Sequence, residues 1–220
     1  MTQRRTLIVA VVAAGVLYLV GAVALGSPPG ASDSGATIGS WFADHHDAAR
    51  TYAWTATFGV LAFAVFAAIV RGLLPAPHSS VFLLGAAAFI VENSIQAWVW
   101  GGLALDPGSL DPTTARALYD VALFWGPVLT GSTMAMIGAV TVLGLGAGPS
   151  IPRWLTVLGA IAFIEQAIET ITVFGTGGFM APGGDMNLIL GAALPLLWLA
   201  GLTVWAAGSL NRAPQPQTAG

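Results

Sequence analysis

The chain has 220 residues, of which 56% are hydrophobic and only 8% charged, with a formal net charge of −3 and no cysteine. A soluble domain carries about 25% charged residues, so this composition excludes a protein that keeps a polar surface in water. It also excludes disulfides, thiolate metal sites and cysteine nucleophiles, and seven basic residues without a cluster exclude nucleic acid as a partner.

Crossing a bilayer takes about 20 apolar residues. Six runs are long enough: residues 6–25, 51–70, 80–105, 116–143, 153–174 and 186–207. The expected fold is therefore an all-α polytopic membrane bundle of six transmembrane helices, one domain over residues 1–210, multi-pass in the cell membrane and surrounded by membrane lipids. The first run, "MTQRRTLIVAVVAAGVLYLVGAVALG", has the basic start and small residues of a signal peptide. Its apolar core exceeds the usual 7–15 residues, so a retained first helix is expected.

After it comes "SWFADHHDAAR". Asp44, His45, His46 and Asp47 are metal-ligand types, yet adjacent histidines rarely point at one ion. The expectation is an amphipathic interfacial segment with Trp41 and Phe42 in lipid. His78, in the next loop, is given no role. The third run reads "LGAAAFIVENSIQAWVWGG" and carries Glu92, Asn93 and Gln96 near mid-depth. Asp120 stands near the outer end of the fourth. Pro127 should kink that helix, with Thr130, Ser132 and Thr133 donating to the carbonyls it frees.

The fifth run, "LGAIAFIEQAIETITVFGTGG", repeats LGAxAFI and then places Glu165, Gln166 and Glu169. After AFI the register differs by one residue, Val91; a duplicated hairpin is the expected origin of the recurrence, and membrane proteins often build sites between such repeats. The tail "NRAPQPQTAG", residues 211–220, reads as disordered. Arg4, Arg5, Arg71, Arg153 and Arg212 fall on one side, against Arg50 and Arg116 on the other, which puts both termini in the cytoplasm.

Residues four apart share a helix face, so Glu92 should project with Gln96 and Glu165 with Glu169, at matched depths. A carboxylate at a helix centre costs roughly 2.5–3.5 kcal/mol on insertion scales. The three glutamates should therefore face a shared chamber between the third and fifth spans. With no arginine or lysine within the membrane to neutralise them, at least one is expected to hold its proton. Trp100 falls near Glu92 on the helical wheel and is expected to border the site. Trp98, Trp125 and Tyr119 read mainly as interfacial aromatics.

Three stretches, "SWFADHHDAARTYAW", "LDPTTARALYDVALFWGP" and "IPRWLTVLGAIAF", resemble an uncharacterised family of small multi-span membrane proteins from high-GC Gram-positive bacteria. The resemblance implies a helical bundle and transfers no activity. The glutamate-bearing segments depart from that family's plainly apolar pattern.

Two functions and a bland alternative follow from the inventory. The first is a membrane enzyme in which Glu92, Glu165, Glu169 and Asp120 supply acid–base groups for proton-initiated cyclisation or isomerisation of a lipophilic, isoprenoid-like small molecule. Asn93, Gln96, Gln166, Trp100, Trp125 and Thr133 would line its site. In character this is similar to integral-membrane terpene cyclases, and it calls for no metal or cofactor. The second is a proton-coupled transporter of a cationic or amphipathic compound, for which a homodimer would offset the small size of a six-helix monomer. Against it, neither polar helix carries a central glycine or proline break. The third is a structural or interaction protein whose glutamates are interhelical glue.

Overall fold

The computed structural model describes residues 2–146 and 151–212. The fold is all-α: α1 (Gln3–Leu25), α2 (Gly35–Asp44), α3 (His46–Arg71), α4 (His78–Leu103), α5 (Pro112–Leu123), α6 (Trp125–Leu145), α7 (Arg153–Glu169) and α8 (Gly191–Arg212). Among the described residues six spans are long and apolar enough to cross a membrane. They are α1, α3, α4, the α5–α6 pair, α7 with the 3-10 turn Thr170–Phe174, and α8 with the π-helical turn Met186–Leu190 that opens it. Large apolar side chains such as Val23, Leu84 and Val204 cover the outward faces, the pattern of a multi-pass membrane protein.

Each span packs on the next, α1 on α3, α3 on α4, α4 on α6, α6 on α7 and α7 on α8, and α8 returns to α1. The bundle is a closed ring. Small residues bring the helices together: a Cβ at Gly85 would lie 2.8 Å from the Ser132 carbonyl, and one at Gly59 would press on the Tyr18 ring. Without a hydrophobic drive between helices in lipid, such close approach supplies the packing.

Several expectations change. The second span starts earlier than expected, because His46 and Asp47 already belong to α3. Phe42 is fully buried in protein and does not dip into lipid: α2 packs on α5 and α3 at the end of the bundle opposite the termini, here called distal. The fourth span runs from Pro112 to Leu145 and is broken at Phe124. Pro127 has no N–H for the Leu123 carbonyl and its ring crowds that oxygen, so the break falls at residues 123–125 and not at the proline itself. The Thr130, Ser132 and Thr133 hydroxyls donate to Pro127 O, Leu129 O and Leu129 O, which is their own helix and not the freed carbonyl. Asn211 and Arg212 continue α8; the rest of the expected disordered tail lies outside the described residues.

The core is split in two. A proximal cluster joins Leu7, Phe66, Phe82, Ile137, Leu155 and Trp198, while a distal one joins Ile38, Phe42, Tyr52, Trp100 and Tyr119. The polar side chains of the spans fall into separate groups: Glu92 with Ser132, Gln96 with Tyr52, and Glu165, Gln166 and Glu169 with Asn187.

A candidate intramembrane carboxyl site

Glu169 ends α7 and is 2% exposed. Its Oε2 accepts from Gln166 Nε2 at 2.6 Å, and its Oε1 accepts from Asn187 Nδ2. Gln166 Nε2 also reaches Glu165 Oε2 at 3.0 Å and Gly191 O at 3.2 Å. Spacing of four on one helix thus does bring Glu165 and Glu169 onto a single amide, as expected.

The Asn187 amide is oriented from its other end. Gly183 takes φ +69°, a conformation that side-chain-bearing residues avoid, and its N–H donates to Asn187 Oδ1 at 2.9 Å. With Oδ1 occupied by a backbone donor, Nδ2 must face the carboxylate and Thr172 Oγ1, 3.3 Å away. Backbone irregularity surrounds this group. α7 becomes a 3-10 turn directly after Glu169, Asn187 sits in a π turn, and α5–α6 breaks just before Gly126. Side chains would not fit at the two contacting glycines: a Cβ at Gly126 would lie 2.7 Å from Asn187 Cγ, and one at Gly191 would collide with the Glu169 carboxylate. Such π turns recur at functional sites.

Glu92 is held separately. Ser132 Oγ lies 2.6 Å from Glu92 Oε2 and 2.9 Å from Leu129 O. A serine has one proton to give, so both contacts are met when the carboxyl proton of Glu92 serves one of them. One turn on, Gln96 Oε1 accepts from Tyr52 Oη at 2.5 Å. Glu92 and Gln96 therefore engage opposite neighbours of α4, not one common partner. Asn93 Nδ2 is turned back onto Phe89 O at 2.8 Å.

The single chamber between the third and fifth spans is not what the ring builds. α6 packs against both α4 and α7 and stands between them, and among the described residues no hydrogen bond joins Glu92 to Glu165 or Glu169. Each glutamate group is instead tied to the next span of its own hairpin, Glu92 to Ser132 and Glu169 to Asn187.

The remaining expected residues are distributed more widely. Trp100 packs in the distal aromatic cluster, 5.8 Å from Phe42 and Tyr119 and 5.6 Å from Tyr52 by ring centroid, and does not border Glu92. Asp120 is taken by Arg116, whose Nη1 also donates to Asp33 O at 2.7 Å, so it ties the first distal loop to α5 instead of joining the glutamates. Thr133 is buried on its own backbone. Trp125, beside Gly126, has a buried Nε1 without a hydrogen-bond partner, as has Glu165 Oε1. His45 Nδ1 lies 3.0 Å from Trp41 O and His46 Nδ1 3.2 Å from Ala43 O, so local backbone occupies both rings.

Sequence reasoning missed Asn187, Ser132 and Tyr52 as partners of the polar side chains. For Asn187 a signal existed: it is the polar residue inside the otherwise apolar opening "MNLILGAALP" of the last span.

Comparison with known proteins finds no matching family model, no matching curated protein and no matching solved structure. The resemblance noted above rests on the three quoted stretches alone.

Proposed function

We propose that the protein is a multi-pass transporter of the cell membrane, with both termini cytoplasmic, that exchanges protons for a cationic or amphipathic compound at Glu165 and Glu169. The observation that carries this reading is the Glu169 carboxyl: 2% exposed, held by two side-chain amides, and without an arginine or lysine partner among the described residues. A carboxylate buried at membrane depth needs a counter-charge. A proton or a bound cation meets that need reversibly, and alternation between the two is the elementary step of proton-coupled exchange. The amides of Gln166 and Asn187 stabilise either form, because an amide N–H donates to a carboxylate and to the carbonyl oxygen of a carboxylic acid alike.

Helix interruption supports transport over catalysis. Secondary transporters place their sites where spans are broken, since freed backbone groups line the path. The polar helices themselves run unbroken, α4 throughout and α7 as far as Glu169; the irregular backbone beside the site is the 3-10 turn that follows Glu169 and the π turn, carrying Asn187, that opens the last span. A cyclase site draws on aromatic faces to stabilise a cation, and Trp100 packs elsewhere.

The test is uptake or efflux of a fluorescent lipophilic cation in sealed proteoliposomes under an imposed pH gradient. Wild type should move the cation with gradient dependence, and Glu169→Gln should lose it. Absence of gradient dependence in wild type overturns the reading. Conversion of supplied linear isoprenoids by the same membranes, lost in Glu92→Gln, would replace it with the enzyme reading.

A further inference from the structure

The two ends of the bundle carry opposite charge. Every aspartate of the chain stands at the distal end, from Asp33 to Asp185, and the three glutamates lie within the spans. The proximal end, that of the termini, holds Arg4, Arg5, Arg71, Arg153 and Arg212, and its segments contain no aspartate or glutamate. Both ion pairs among the described residues are distal, His46 with Asp47 and Arg116 with Asp120. Arg153, the first residue of α7, is exposed and has no carboxylate beside it among those residues.

From Arg153 toward the membrane interior, α7 carries an open groove of about 590 Å³, lined by Arg153, Trp154, Val157, Leu158 and Ile161. That volume falls within the roughly 300–1,000 Å³ of small-molecule sites. Arg153 is the one charged residue of this lining. Leu158 packs on the proximal core, whereas Trp154, Val157 and Ile161 are each about half exposed. The Trp154 ring rests on the last span: a Cβ at Gly201 of α8 would lie 2.9 Å from its Cζ3.

We infer that this groove binds one anionic phospholipid of the proximal leaflet, with its phosphate on Arg153 and an acyl chain along Val157, Leu158 and Ile161. A guanidinium donates in a planar fork that matches two phosphate oxygens. An indole beside it suits the same level, since its apolar body favours acyl chains and its N–H the headgroups. The lengths agree as well. Eight residues from Arg153 to Ile161 rise about 12 Å, most of the roughly 15 Å that one leaflet contributes to a 30 Å hydrocarbon core. Arginines that served only to orient the chain would need their charge and no apolar groove continuous with one of them. The inference concerns the outer surface of α7 and does not draw on the transport reading.

The test is fluorescence quenching of the full-length protein in bilayers of phosphatidylglycerol and phosphatidylcholine, one of the two lipids brominated on its acyl chains. The Trp154 contribution is the difference from the matching Trp154→Phe protein. Brominated phosphatidylglycerol should be preferred about fivefold at Trp154, the worth of one arginine at a membrane surface. Arg153→Gln should bring the two lipids to parity. Val157→Phe, which fills the groove and keeps the arginine, should lose the preference too, and Arg71→Gln on α3 should retain it. Equal quenching by both lipids in wild type overturns the site, as does a preference that survives Arg153→Gln or Val157→Phe. An equal loss in Arg71→Gln also overturns it, because the attraction then belongs to the charge of the whole face.

Discussion

Asn187, in the π turn that opens the last span, donates through Nδ2 to Oε1 of Glu169 in the final turn of α7. This bond closes the fifth and sixth spans over a buried carboxyl, and the Gly183 N–H holds the amide in the one orientation that makes it. Replacement of Asn187 by Leu removes a donor from the carboxyl and leaves the Gly183 amide without its acceptor. The expected loss is about 1–3 kcal/mol of stability, read as a lower unfolding midpoint in detergent. A midpoint equal to that of wild type would contradict the bond.

Gly191 and Glu169 are equally interdependent. A methyl group at residue 191 collides with the carboxylate, so Gly191→Ala should destabilise by about 1–3 kcal/mol, the usual range for overpacking. In the Glu169→Ala background the space is free and the penalty should largely vanish. A double-mutant cycle measures the difference; equal penalties in the two backgrounds would show that the glycine answers to something else.

Pro127 acts at a distance through the Leu123 carbonyl. Pro127→Ala restores the missing donor, so α5 and α6 should join into one straighter helix and shift Gly126 away from Asn187. Because the chain has no native cysteine, spin labels at Leu118 and Leu145, both exposed, report this directly. The inter-label distance should lengthen in the variant and gradient-driven transport should fall. An unchanged distance places the origin of the break elsewhere.

Outside the membrane, Asp111 caps α5. Its carboxyl receives the Thr114 hydroxyl at 2.5 Å and the Thr114 and Thr113 amides at 3.1 and 3.0 Å, and these bonds, the Thr114 hydroxyl foremost, hold its pKa below the ordinary value. A depressed carboxyl pKa contributes stability that is present above the unfolded-state value and lost as pH falls through the folded-state value. Protection from hydrogen exchange at the first turn of α5, relative to the unstructured rate at the same pH, should therefore be present at neutral pH and fall in strong acid. Asp111→Ala should have low protection at every pH, whereas Asp111→Asn, still a good cap, should keep its protection in acid.

The candidate site was partly legible before any coordinates. Hydropathy alone located the six spans, because a bilayer crossing demands length and apolarity that little else demands. The i, i+4 spacing of Glu165 and Glu169 put them on one face, and the structure seats both on Gln166. Helical periodicity, however, gives a direction on a single helix and no knowledge of which helix lies there. Glu92 and Gln96 share a face of α4 yet meet α6 and α3 respectively, and Trp100, near Glu92 on the wheel, belongs to an aromatic cluster built with α2 and α5.

By itself, then, the order of residues determined an all-α bundle of six membrane-length spans and the shared face of Glu165 and Glu169, since both follow from local properties: transfer energy per residue and rise per turn. Tertiary structure alone decided that α6 stands between the two glutamate-bearing helices and that Asn187 completes the buried carboxyl group. Those outcomes depend on which surfaces can approach closely enough to pack, and that is set by glycines and partners far apart in the chain.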